Sequence, residues 1–142
     1  MTSKNLILIK ERHINADTKK VWAILTETTT DWNGVIIETK TDWKPDSEII
    51  FSFVWDGVQY ADKGAIIDFE SERKFSHTYW SAFSGLPDED DNYSKVQYEL
   101  FPTDTGTILK LTHTNFATET MYKDSDKNWE VTLDKIKEKS ER

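Results

Sequence analysis

The sequence predicts an α+β domain. A curved antiparallel sheet of about six to seven strands wraps around one long C-terminal helix, with two short helices after the first strand. Three observations carry this reading. Strand-like runs separated by tight-turn signals fill residues 34–116. The apolar period changes after Thr118, where Tyr122, Trp129, Leu133 and Ile136 fall on one helical face. A large antiparallel sheet with one apolar face must also bury that face, and only this helix is long enough to cover it.

The elements follow in order. "NLILIKERHIN", residues 5–15, reads as a strand that starts buried and then alternates. Asp17 or Thr18 can cap a helix, and Val21, Trp22, Leu25 and Thr28 follow at helical spacing. "TTTDWNG" ends that helix, with room for a short second turn before Gly34. Strands are expected over 34–43, 48–55, 58–69, 74–83, 93–101 and 107–116. Asp56-Gly57 marks one hairpin, and Thr105-Gly106 turns another. Gly64, inside a strand, suggests a bulge or bend of the kind a curved sheet needs. Thr118 is the expected N-cap of the last helix, whose far end collects Lys and Arg.

Composition narrows the function. The 142 residues fit one domain, 1–142, large enough to need no disulfide or metal for its core. There is no cysteine, so thiolate metal sites and thiol nucleophiles are excluded. A net charge of −8 without a basic stripe opposes nucleic acids and anionic membranes. The apolar run near the start is too short for a signal core or a membrane span, so a cytoplasmic location is expected. Eighteen aromatic side chains, six of them Trp, supply large packing surfaces.

Candidate site residues come from strand alternation. Leu109 and Leu111 mark the inward face of "TGTILKLTHTNF", which turns His113 inward as well. Phe75, His77 and Tyr79 share a face of their strand, as do Ile49, Phe51, Phe53 and Trp55. A sheet gripping a helix leaves a gap between them. Its wall is expected to include Phe53, Trp55, His77, Tyr79, Tyr98, Leu111, His113 and Trp129. Two inward histidines could join Asp68 or Glu99 around a metal, but no His-Glu-x-x-His or compact carboxylate triad supports this. There is no Gly-x-Ser-x-Gly elbow and no phosphate-cradling glycine loop. No metal, cofactor or catalytic residue is therefore expected. The loop "SGLPDEDDN", 84–92, is a solvated connector or a gate at the rim.

Four stretches together resemble a known family. They are "INADTKKVWAILTETTTDW" (14–32), "DGVQYADKGAIIDFESERKFSHTYW" (56–80), "VQYELFPTDTGTILKLTHTNF" (96–116) and "KNWEVTLDKIKE" (127–138). They are similar to the START-like, birch-pollen-allergen-like helix-grip superfamily (SRPBCC). Within it, the branch is the domain homologous to the C-terminal part of the heat-shock ATPase activator. One departure is that "ADTKK" lacks the proline-bearing segment common there, which alters only the helix start.

The resemblance implies a small-molecule binding or carrier domain for a hydrophobic ligand, lipid-, polyketide- or flavonoid-like. A co-chaperone stimulating a heat-shock ATPase is the alternative, although that role normally comes with a second, N-terminal domain. A cyclase or hydrolase using His77 or His113 as acid–base is the third reading. A monomer or weak dimer is expected.

Overall fold

The computed structural model describes residues 3–142. Among these, eight strands form one antiparallel sheet. They are β1 (Ile7–Ile14), β2 (Thr29–Trp32), β3 (Val35–Thr41), β4 (Glu48–Trp55), β5 (Val58–Glu70), β6 (Lys74–Tyr79), β7 (Ser94–Thr103) and β8 (Gly106–Thr114). Helix α1 (Thr18–Leu25) follows β1, and α2 (Glu119–Ser140) follows β8. The spatial order β1-β8-β7-β6-β5-β4-β3-β2 is a run of hairpins with β1 added beside β8. No described helix is long and apolar enough to cross a membrane.

The two short helices expected after the first strand are one helix and one strand. "TTTDWNG" forms β2, paired with β3 from Thr29↔Glu38 to Trp32↔Val35. Asn33 and Gly34, at φ 50° and 88°, make a two-residue hairpin turn that sends the chain straight back. The threonines before it are β-branched and suit a strand. This raises the count from the expected six or seven strands to eight.

Two strands end earlier than their patterns suggest. β3 stops at Thr41, and Trp43 takes φ 57°. Its ring thereby packs at 5.6 Å from both Phe69 and Phe75. β6 stops at Tyr79, after which the Ser84 N–H donates to the Ser81 carbonyl at 3.0 Å. That turn brings Phe83 back onto Tyr60 and Phe53, at centroid distances of 4.6 and 5.5 Å.

Gly64 is not itself the bulge. The β5–β6 register breaks between Ile66↔His77 and Asp68↔Ser76, so Ile67 is the extra residue. Such an insertion bends the strand and adds twist. Gly64 instead permits close approach, because a Cβ there would lie 1.7 Å from the Thr78 carbonyl oxygen.

Both helices are capped as expected. Asp17 accepts from the Lys20 N–H at 2.9 Å, and Thr118 Oγ1 accepts from the Met121 N–H at 3.1 Å. Thr118→Ala is expected to cost about 1 kcal/mol, the usual worth of a helix cap, read as a shifted urea midpoint with unchanged slope.

The two edge strands both reach α2, which closes the sheet around it. From β1, Lys10 pairs with Asp126 at 2.6 Å, and Arg12 pairs with Asp134 at 3.1 Å and with Glu130. From β2, the Trp32 indole donates to Thr132 Oγ1 at 3.2 Å. Beneath the helix, Leu133 is fully buried with Ile14, Val21, Leu109 and Leu111. Burying a leucine of this kind contributes roughly 1.5–3 kcal/mol. β8 alternates buried and half-buried residues along its whole length, with Thr107, Leu109, Leu111 and His113 inward.

Candidate functional site

The core does not fill the whole grip. Between the sheet's concave face and the N-terminal half of α2 lies a cavity of about 650 Å³. β3 contributes Val35, Ile37 and Thr39 to its wall, and α2 contributes Met121, Asn128 and Trp129. Asymmetric packing explains the gap. Leu133 and Ile136 seat one half of α2 on the core, whereas the other half meets the sheet mainly through Trp129.

The structure brings together seven of the eight expected wall residues. Phe53, His77, Tyr79 and Tyr98 line the cavity from three strands, with His113 and Trp129 beside them. Trp55 also lines it, but from the rim, where it is 52% exposed. Leu111 lies outside the wall: it is fully buried in the core cluster. Tyr98 and Trp129, packed against the same core, face the cavity instead, with rings 5.8 Å apart edge to face.

Both ring nitrogens of His113 are engaged. The Trp129 indole N–H donates to Nδ1 at 3.0 Å, and Nε2 lies 2.8 Å from Ser94 Oγ. An indole can only donate, so Nδ1 is unprotonated and the proton sits on Nε2. Nε2–H then donates to Ser94 Oγ, whose own proton points to the Tyr79 carbonyl at 3.3 Å. Burial, with His77 as a lesser cause, lowers the His113 pKa to about 3. This chain ties α2 to β8, β7 and β6 and leaves His113 no free lone pair.

His77 differs. Its Nδ1 lies 2.8 Å from the Thr78 carbonyl, an acceptor only, so Nδ1 carries the proton. Nε2 is a bare acceptor with no partner among the described residues. Burial lowers the His77 pKa to about 4 and keeps the ring neutral. Phe51 and Phe75 flank it at 5.6 and 5.2 Å. Its other expected neighbours lie elsewhere: Asp68 accepts from Ser76 Oγ at 2.9 Å, and Glu99 accepts from Gln97 at 3.1 Å. Among the described residues no group of three His, Asp or Glu side chains could hold a metal ion.

Asp62 was not among the expected residues. It lines the cavity and is 8% exposed. It accepts from the Tyr79 hydroxyl and from the Ala82 N–H, the latter at 2.8 Å. Burial raises its pKa, against the pull of those hydrogen bonds. The signal was available: Asp62 lies four residues before Ile66, on the same inward face of β5.

The loop 84–92 is tied down at several points. Lys63 pairs with Asp88 at 2.6 Å, the Trp80 indole donates to the Leu86 carbonyl at 3.2 Å, and the Asn92 amide donates to Pro87 at 2.9 Å. Of this loop, Ser84 reaches the cavity.

Comparison with known proteins gives the same architecture. A protein from Cytophaga hutchinsonii, solved in solution, is 30% identical with a TM-score of 0.76, over 94% of this chain and 92% of its own. A protein from Chromobacterium violaceum superposes with a TM-score of 0.80 at 14% identity, over 96% and 97% of the two chains. The Aha1 dimer from Colwellia psychrerythraea gives 0.71 at 14% identity, over 96% of each chain. These last two show the fold alone. No curated protein matches the chain. The family model described as activator of Hsp90 ATPase homolog 1-like protein matches residues 15–141. That match begins just after β1 and takes in the other seven strands and all of α2, and the chain belongs to that family.

Proposed function

We propose that this chain binds a hydrophobic small molecule in the cavity between sheet and α2. The observation that carries the reading is the cavity itself, about 650 Å³ with an aromatic wall and a few inward polar atoms. Ligand sites are typically of this size and character. The polar atoms are fixed before any ligand arrives, by the His113 chain and by the Asp62–Tyr79 bond. Such preorganisation reduces the cost of binding.

The test uses N-phenyl-1-naphthylamine, a neutral probe that brightens in apolar surroundings. Binding with a Kd on the order of micromolar is expected for a ligand of this size. Ile37→Trp places a larger ring on the β3 wall and should abolish binding while the circular dichroism spectrum is retained. Equal probe fluorescence in both proteins would place the probe elsewhere and remove the support.

The family description favours a second reading, contact with an Hsp90-type ATPase. The β4–β5 hairpin and the turn after β6 expose Val54, Trp55, Val58 and Phe83 at 51–56%, an apolar patch suited to a protein partner. An ATPase assay decides this: no stimulation at molar excess would eliminate it. A monomer or weak dimer in solution is part of the same proposal, to be read by sedimentation.

A further inference from the structure

We propose that the cavity selects ligands that donate hydrogen bonds, specifically a flat aromatic body carrying a protonated amine, and rejects carboxylates. This rests on the reading that the cavity binds a small molecule, and it adds the sign of the ligand's polar end.

The charges on the wall are of one sign. Glu27, Asp62 and Asp124 line the cavity, and among the described residues no Lys or Arg does. Glu27 is neutralised by Lys139 at 2.5 Å. Asp62 has no cationic partner among the described residues, although it is more than nine-tenths buried. The Tyr79 hydroxyl and the Ala82 N–H take two of the roughly four lone-pair sites of this carboxylate, and the Ser81 hydroxyl lies against it as a third donor, so acceptor capacity remains. Buried carboxylates are ordinarily paired with a cation.

A second group independently asks for a donor. His77 is 3% exposed, its Nδ1–H is taken by the Thr78 carbonyl, and its Nε2 lone pair has no partner among the described residues. His77 and Tyr79 share one face of β6, with rings 6.3 Å apart, and the Tyr79 hydroxyl is bound to Asp62. Phe51 packs against both rings, at 5.6 and 6.0 Å. The two acceptors therefore sit at one aromatic-walled end. An ammonium there has Asp62 for its charge, His77 Nε2 for an N–H, and ring faces that favour cations. A carboxylate there would face Asp62 with no counter-ion.

Three naphthalene probes of matched shape test this on the full chain at pH 7.5, by calorimetry. They are 2-naphthylmethylamine, 2-naphthylmethanol and 2-naphthoate. The amine is expected to bind at least about 10-fold tighter than the alcohol, the worth of one charge-assisted contact, with naphthoate weakest. Asp62→Asn should bring amine and alcohol within about 3-fold of each other. The wild-type ranking decides the matter alone should that variant fail to fold. Alcohol binding without amine preference, tight naphthoate binding, or preference surviving in D62N each overturns the proposal and leaves the cavity reading standing. Failure of all three probes overturns both.

Discussion

Between pH 7 and pH 5 the protein is expected to lose about 4 kcal/mol of folding stability, the sum over two buried histidines. His77 and His113 are 3% and 5% exposed, with pKa values lowered to about 4 and about 3. In the unfolded chain both titrate near 6.5. Below that value the unfolded state binds protons that the folded state refuses. Stability is thus full above pH 6.5 and falls as the pH drops toward the folded values. Each histidine contributes about 2 kcal/mol by pH 5.

The groups facing these rings do not rescue the charged form. His113 meets Trp129, Ser94 and Phe116, and His77 meets Phe51, Phe75 and Tyr79. Protonating His113 would also expel the Trp129 N–H from Nδ1. Asp62, raised by burial, contributes with the opposite sign as the pH falls. Urea unfolding at pH 7, 6 and 5 measures the loss, and His77→Phe should show about half of it. Stability flat across this range would mean that neither ring is held neutral by the fold.

Gly64→Ala is expected to destabilise by about 3 kcal/mol or more, lowering Tm by about 10 °C. The new Cβ would stand 1.7 Å from the Thr78 oxygen and 2.5 Å from its carbon. Both atoms are backbone, so no side-chain rotation relieves the clash. β5 would have to leave β6, which breaks the Lys63–Trp80 bonds of 3.1 and 2.8 Å and the Ala65–Thr78 bond of 2.9 Å. Those bonds hold the bend behind His77 and Tyr79, so ligand affinity should fall together with Tm. A Tm within about 2 °C of wild type would mean that the strands separate at little cost.

How much of this was legible in the sequence depended on the range of the interactions. β8 read correctly because alternation is local, and Leu109 and Leu111 oriented His113 with certainty. The α2 cap at Thr118 and the Asp56-Gly57 turn are local for the same reason. β2 was missed because four residues, two of them threonine, give no alternation. It exists by pairing with β3 and by reaching Thr132 through Trp32, both long-range events. Trp43 entered the core through a positive φ, which side chains other than glycine seldom adopt.

The site was half legible. Strand faces put His77, Tyr79 and Tyr98 inward, but Leu111 could not be separated from the wall without knowing which half of α2 sits on the core. Asp62 was overlooked because a charged residue in a hairpin reads as outward unless its register with Ile66 is followed. The partner of His113 required the placement of α2 along the sheet, which no local pattern contains. Once that placement is known, the histidine is a fixed strut between helix and sheet, and His77 is the ring that presents a lone pair to the cavity.

On the proposed function, the space between sheet and α2 receives a ligand. Nitrogen-resolved NMR of the full chain, titrated with 2-naphthylmethanol, tests it most directly. Saturable shifts are expected at the Trp129 indole N–H and at backbone amides of Phe51, His77 and Val96. Residues on the opposite face of the sheet, such as Lys110 and Thr112, should stay still. Shifts confined to that outer face, or a Trp129 indole signal unmoved at saturation, would contradict it.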